Sequence, residues 1–259
     1  MHYRIHLKIV KKKYVIHFIN IFIVSASLFL STLCLAKTDT THEQLELEST
    51  LRSLMPTKCV FSTQFTQVKK TSLFTLTSSG TLFYSCDYGL LWKSTTPFIE
   101  TLIYKKNTLN FRIEEDNTRE RLTSMAHRNL GKFLLHLLDG DVTYFFDAFD
   151  VTFNVKTETN NHSGLLLTPK SKFMKKAIQS ISLTMLPDPE PVTNTKPLLR
   201  LGIRINHANE DITDITIDNI ITFQPENDTQ LDIFCTKTVG KNNDACKTLK
   251  LKKKVQNIK

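Results

Sequence analysis

Few residues in this chain of 259 have the types and spacing for chemistry, and those few are scattered. Beyond the first 36 residues the histidines are His42, His127, His136, His162 and His207, and none stands in the HExxH spacing that puts two imidazoles over one metal. His127 and His136 share a helical segment but are out of phase on it, which suits surface or capping roles. Asp214 and Asp218 fall in an alternating segment with Ile215 and Ile217 inward, so both carboxylates point to solvent. No GxSxG elbow and no glycine-rich phosphate loop occurs. The expectation is a protein that is not an enzyme, with no cofactor and no metal site.

The cysteines carry a different chemistry. The first 36 residues are an address: Arg4, Lys8, Lys11, Lys12 and Lys13 precede a charge-free apolar run from Tyr14 to Ala36, and Cys34-Leu35-Ala36 offers a cleavage site. Residues 1–36 therefore read as a signal peptide that sends the chain to the periplasm, the alternative being an uncleaved anchor. The remainder keeps Cys59, Cys86, Cys235 and Cys246. An even count in an exported chain suggests two disulfides, with three possible connectivities. Local pairings are preferred: Cys59 and Cys86 are symmetric about Ser72-Leu73, and Cys235 and Cys246 about Gly240-Lys241, both turn-like. No CxxC spacing occurs, which argues against zinc.

Composition narrows the class. The chain is 41% hydrophobic and 23% charged with 7 Gly and 8 Pro, which excludes a low-complexity or multi-span membrane protein. Its 33 Thr and 17 Phe favour pleated, half-buried surfaces. The net charge of +9 sits largely in the leader, and the rest carries 29 basic against 25 acidic groups. With export expected, no nucleic-acid partner follows from it.

Elements must position whatever the chain holds. Leu47, Leu51, Leu54 and Met55 recur at helical spacing within 42–56, between a capping Thr41 and Pro56. From Phe61 the period becomes two: Leu82 and Tyr84 alternate with Thr81 and Ser85, and alternation continues from Trp92 to Phe111. Residues 119–138 return to helix spacing through Leu122, Met125, Leu130, Phe133, Leu134, Leu137 and Leu138, closed by Gly140. Strands then run through Phe149-Val151-Phe153-Val155 and Leu199-Leu201-Ile203-Ile205, with a loop at Asp188-Pro189-Glu190-Pro191. The fold class expected is α+β, mainly antiparallel β. Residues 37–230 form the domain, and residues 231–259 read as a basic, irregular tail whose Lys250, Lys252, Lys253 and Lys254 could meet anionic headgroups or simply be solvated.

Several motifs occur in a familiar order. Phe61-Ser62-Thr63-Gln64-Phe65-Thr66-Gln67 is followed by Gly80-Thr81-Leu82-Phe83-Tyr84, then Trp92, Pro97, Leu102-Ile103 and Thr108-Leu109-Asn110-Phe111. Leu167-Thr168-Pro169-Lys170 and Ile178-Gln179-Ser180-Ile181-Ser182-Leu183 come later. Over residues 43–223 this set resembles the LolA-like family of periplasmic outer-membrane lipoprotein carriers, as a divergent member. The resemblance implies an unclosed, strongly curved β-barrel under a helical lid, with an apolar cavity for acyl chains. Where the family has an Arg-Pro pair whose Arg latches the lid, this chain has Cys86-Asp87.

The candidate lipid-binding residues are Phe61, Phe65, Leu82, Tyr84, Trp92, Phe133, Leu134, Leu137 and Leu138, each of which could equally fill a solid core. The function expected is carriage of a lipid or of lipoprotein acyl chains toward the outer membrane by a monomer. Its partners would be an inner-membrane release complex and an outer-membrane acceptor, both implied by the resemblance. The alternative is a non-transporting interaction protein with a filled core.

Overall fold

A computed structural model describes residues 39–106, 110–116, 118–123, 125–154, 164–186, 200–240 and 244–250. The expected signal peptide, His162, Leu199 and Lys252–Lys254 lie outside them. The chain divides into two units, Met1–Glu46 and Leu47–Lys259. In the first unit the described residues, from 39 on, open helix α1 (Asp39–Ser53). That helix begins before Thr41, so Thr41 does not mark its start.

Among the described residues the second unit is built on eleven strands: β1 (Val60–Lys70), β2 (Thr75–Ser85), β3 (Gly89–Thr96), β4 (Glu100–Lys105), β5 (Phe111–Glu114), β6 (Arg119–Arg121), β7 (Phe149–Asn154), β8 (Gly164–Pro169), β9 (Ile178–Leu186), β10 (Arg200–His207) and β11 (Ile212–Thr222). The helices are α2 (Met125–Asp139), α3 (Val142–Ala148), α4 (Lys172–Lys175), α5 (Asp228–Val239) and α6 (Ala245–Lys250). All strands join one antiparallel sheet in the order β6-β5-β4-β3-β2-β1-β11-β10-β9-β8-β7. Strand β1 joins the two meanders by pairing with β11, which places Phe65 opposite Ile217.

The sheet is open, with β6 and β7 as its two edges, and this corrects the expectation of a strongly curved barrel. The physical reason lies in β1–β5. Phe61, Leu82, Tyr84, Leu90, Trp92 and Tyr104 bury one face with Leu47 and Leu51 and with α2 and α3. Val60, Phe83, Leu91, Ile103 and Ile113 bury the other with α5 and α6. A sheet with helices on both faces is a middle layer, whereas a tightly curled barrel would turn one face inward on itself.

Three further segments differ from the sequence reading. Arg119–Arg121 is not helical but pairs with β5, and the helix starts only at Met125. Val142–Ala148, to which the sequence reading assigns no element, is helix α3, capped by Asp141 accepting from the Tyr144 amide at 3.2 Å. The segment expected to be irregular from residue 231 holds helices α5 and α6. Their apolar side Leu231, Cys235, Val239, Cys246 and Leu249 packs on the sheet. Lys250 is correspondingly engaged, 2.7 Å from the Asp232 carboxylate and bonded to the Asp228 carbonyl.

Both local disulfides form. Cys59–Cys86 joins the start of β1 to the end of β2, and Cys235–Cys246 joins α5 to α6.

Candidate functional site

All nine candidate residues meet in one layer between the sheet and the helices above it. Period two places Phe61 and Phe65 on one side of β1, Leu82 and Tyr84 on the matching side of β2, and Trp92 beside Leu82 on β3. Phe61 and Tyr84 oppose each other with ring centroids 5.2 Å apart, and Phe65 tilts against Trp92 at 4.1 Å. Gly80 stands opposite Phe65, and a Cβ there would come within 1.9 Å of the Lys93 carbonyl oxygen, so β2 and β3 can approach only at a glycine. From above, α2 lowers Phe133, Leu134, Leu137 and Leu138 into the layer. Phe133 meets Phe145 and Phe149 edge-on at 5.7 and 6.2 Å.

The nine are closely packed; Trp92, the most exposed of them, is 5% accessible. Helix α2 lies very near β4, because a Cβ on Gly131 would reach within 2.2 Å of the Tyr104 ring. The sequence reading left Leu90, Tyr104 and Phe145 out of the site, though they complete the same layer. Leu90 and Tyr104 were detectable by period two from Trp92 and Leu102. Phe145 was not, because the sequence reading assigns no element to its segment.

Polar groups hold the layer's rim. The Tyr84 hydroxyl donates to the Asp139 carboxylate at the end of α2, and Lys106 reaches the same carboxylate at 2.6 Å. Burial raises the Tyr84 pKa far above its ordinary value, and the Asp139 hydrogen bond and charge add to the effect. Thus Asp139 ties the last turn of α2 to β2 and to the end of β4. At the position of the family's latch arginine, Cys86 is instead bonded to Cys59.

Within the layer the Tyr104 hydroxyl is buried and has no hydrogen-bond partner among the described residues. Burial also pushes its pKa strongly upward.

A cavity of about 430 Å³ borders the rim, lined by Lys106, Asn110, Arg128, Lys132, His136 and Asp139 among others. Its walls combine charged groups with the apolar stems of the lysines and Leu135, and none of the nine residues lines it. His136 shares a 2.8 Å contact with Asp141 and stacks on Tyr144 at 3.9 Å, while burial lifts the Tyr144 phenol to about 12. His207 sits at the far end of β10 against Thr213. Among the described residues no three His, Cys, Asp or Glu side chains converge as metal ligands. Asp214 and Asp218 face away from the apolar layer and pair with Arg204 and Arg200 of β10.

The fold and site together define an α+β protein with an apolar, aromatic-rich layer between an open antiparallel sheet and tethered helices. No protein-family model and no curated relative matches the chain. Among solved structures it is similar to a LolA superfamily protein from Nitrosomonas europaea, at 9% identity and a TM-score of 0.40, over 70% of this chain and 94% of that one. It is likewise similar to a DUF1329 family protein from Desulfovibrio piger, at 11% identity and a TM-score of 0.40, over 71% and 93%. A third is a putative outer membrane lipoprotein-sorting protein domain from Vibrio parahaemolyticus, at 10% identity and a TM-score of 0.38, over 73% and 97%. The first of these bears the name of the superfamily that the sequence motifs resemble. At such identities and TM-scores no activity or ligand passes from them to this chain.

Proposed function

We propose that this protein is an exported, non-enzymatic carrier that takes a lipid, or the acyl chains of a lipoprotein, between its sheet and helices α2 and α3. It would work in the periplasm, receiving cargo from an inner-membrane complex and yielding it to an outer-membrane acceptor. The observation that carries this reading is the layer itself: nine apolar residues from three strands and one helix, with the unpartnered Tyr104 phenol in the same buried cluster. A buried hydroxyl left without a partner costs about 1–3 kcal/mol, and an ester carbonyl on an acyl chain would satisfy it.

Magnitudes favour an exchange. Withdrawing Phe133, Leu134, Leu137 and Leu138 from the layer costs about 6–12 kcal/mol at about 1.5–3 kcal/mol per side chain. Burying a C16 chain returns roughly 10 kcal/mol at about 0.8 kcal/mol per methylene. The two are of one size, so cargo can replace the helix without specific polar contacts. Asp139 would then act as the tether that opening must release.

The second reading, an interaction protein with a solid core, draws on the same close packing. Mass spectrometry of organic extracts separates the two, using protein purified from the envelope without detergent. The carrier reading expects a stoichiometric acylated molecule, lost in Leu82→Asp and Trp92→Asp variants that keep their circular dichroism, because a carboxylate on the sheet wall of the layer repels an acyl chain. An extract free of lipid from wild-type protein would favour the solid core.

A further inference from the structure

One end of the sheet gathers exposed apolar side chains among lysines. Lys70 pairs with both Thr75 and Ile212, and His207 pairs with Ile178. The β1–β2 turn, the β10–β11 turn and the β8–β9 connection that holds α4 therefore emerge side by side at one end. The Ala208 amide donates to the Ala177 carbonyl at 3.1 Å, which fastens the second of these to the third.

Two of the three present apolar tips. In the β1–β2 turn the Thr71 hydroxyl oxygen accepts from the amides of Leu73 and Phe74 at 3.2 and 3.1 Å, and the Thr71 amide donates to the Phe74 carbonyl at 2.9 Å. That rigid turn holds Leu73 outward at 88% exposure, with Phe74 at 55%. In α4 the Ser171 hydroxyl accepts from the Phe173 amide and sets the short helix so that Phe173 is 53% exposed. Exposed lysines flank both: Lys70 beside the turn, and Lys172, Lys175 and Lys176 around Phe173. The carboxylates nearby are Glu210 and Asp211 of the middle turn, Asp150 at 4.0 Å from Lys170, and Asp214 at 4.0 Å from Lys70. The three lysines of the α4 segment have no acidic neighbour within it.

We infer that this end of the sheet docks onto a bilayer surface carrying anionic phospholipid, with Leu73, Phe74 and Phe173 entering the acyl boundary and the lysines meeting the headgroups. The chemistry selects this occupant. Lysine is depleted in the cores of protein–protein interfaces, where apolar side chains lie in one contiguous patch. Isolated apolar tips ringed by lysine stems suit the depth gradient of a bilayer, where the stems reach back to the headgroups. The inference goes beyond the carrier reading and does not depend on it, since no residue of the apolar layer takes part.

The test is flotation of the full chain with vesicles of phosphatidylcholine containing 30% phosphatidylglycerol, and with phosphatidylcholine alone. Wild-type protein is expected to float with the anionic vesicles, less so as salt rises. Replacing Lys172, Lys175 and Lys176 by Gln is expected to weaken binding by about two orders of magnitude, about fivefold for each charge. Leu73→Asp with Phe74→Ser should lower it at least tenfold on the same vesicles. All variants share the N-terminal apolar run, so differences among them report the sheet end, and unchanged circular dichroism shows that each is folded. Wild-type protein that does not float, or variants that float as it does, would overturn the inference. So would a dimer in sedimentation equilibrium that Leu73→Asp dissociates, because the tips would then be covered by a second copy.

Discussion

The two halves of the sheet are buried differently. In β8–β11 one face is dry and the other wet: Leu201, Ile203 and Ile205 point into the apolar layer, while Arg204 forms a 2.6 Å ion pair with Asp214 on the outer side. In β1–β5 both faces carry buried apolar residues, Phe61, Leu82 and Trp92 on one and Val60, Phe83 and Leu91 on the other, and even the lysines there are put to use. Lys93 donates to the Val239 carbonyl, and Lys105 to the Thr248 carbonyl at 3.1 Å, each capping the end of a C-terminal helix. Burial, with the charge of Arg119, lowers the Lys105 pKa. Both disulfides belong to this doubly covered half. The same antiparallel sheet thus serves as a one-sided wall in one half and as a middle layer in the other.

The sharpest way to break this contrast is to mutate the second face in each half. Phe83→Ala, beneath Phe234, is expected to cost about 3–5 kcal/mol, whereas Ser182→Ala on the outer side of β9 should stay within about 0.5 kcal/mol. Urea unfolding of the two variants reads the difference directly. Equal effects would mean that α5 and α6 do not form a second core. Next in size is the Cys235–Cys246 bond, whose replacement by two serines should cost about 3 kcal/mol. The loss is expected to appear as early protection loss in α5 and α6 on hydrogen exchange, with β9–β11 unaffected.

The contrast also explains what the sequence disclosed. In β10 and β11 a wet face leaves polar residues at every second position, so strands and facing residues were plain. The nine candidate residues were brought together for the same reason, since period two and helical period both aim at one shared layer. In β2–β4 the runs Leu82-Phe83-Tyr84, Leu90-Leu91-Trp92 and Leu102-Ile103-Tyr104 are continuous apolar stretches, the mark of strands buried on both faces. Phe83, Leu91 and Ile103 therefore demanded a cover, and the segment after residue 228 was the chain left to supply it. Its lysines masked Leu231, Val239 and Leu249. The lack of strong curvature was not legible, because alternation reports which face is dry and carries no information on curvature.

A third prediction concerns the tether. Asp139→Asn removes the charge shared by Tyr84 and Lys106 and should cost about 1.5–3 kcal/mol. It should also speed exchange of amides in the last turn of α2 more than in β2.

Titration gives the fourth. Tyr84 and Tyr104 have folded-state pKa values raised above the ordinary value of about 10. Their contribution is whole below that pH and is lost as pH climbs through the raised folded values, so thermal stability should fall from about pH 10 upward. The fall should be shallower in Asp139→Asn. On the acid side, burial lowers His207 and His127, with Lys69 and Arg112 respectively adding to it. Stability tied to these neutral imidazoles is present above about pH 6.5 and is lost as pH drops through their lowered values.

The smallest effect belongs to the wet face. Arg204→Ala breaks a pair whose arginine is 56% exposed and should cost no more than about 1 kcal/mol, shrinking further in salt. A larger loss would mean that the outer side of β10 is covered in the working protein.

The central claim is that an acyl chain enters the layer beneath α2, and the single tryptophan lies in that layer. The most direct test is quenching of Trp92 emission by doxyl-labelled palmitate titrated into detergent-free protein. The account predicts saturable quenching near one equivalent, strongest with the doxyl group along the chain and reduced in a folded Leu82→Asp variant. Emission that is unchanged, or falls only linearly as for free diffusional collision, would contradict it.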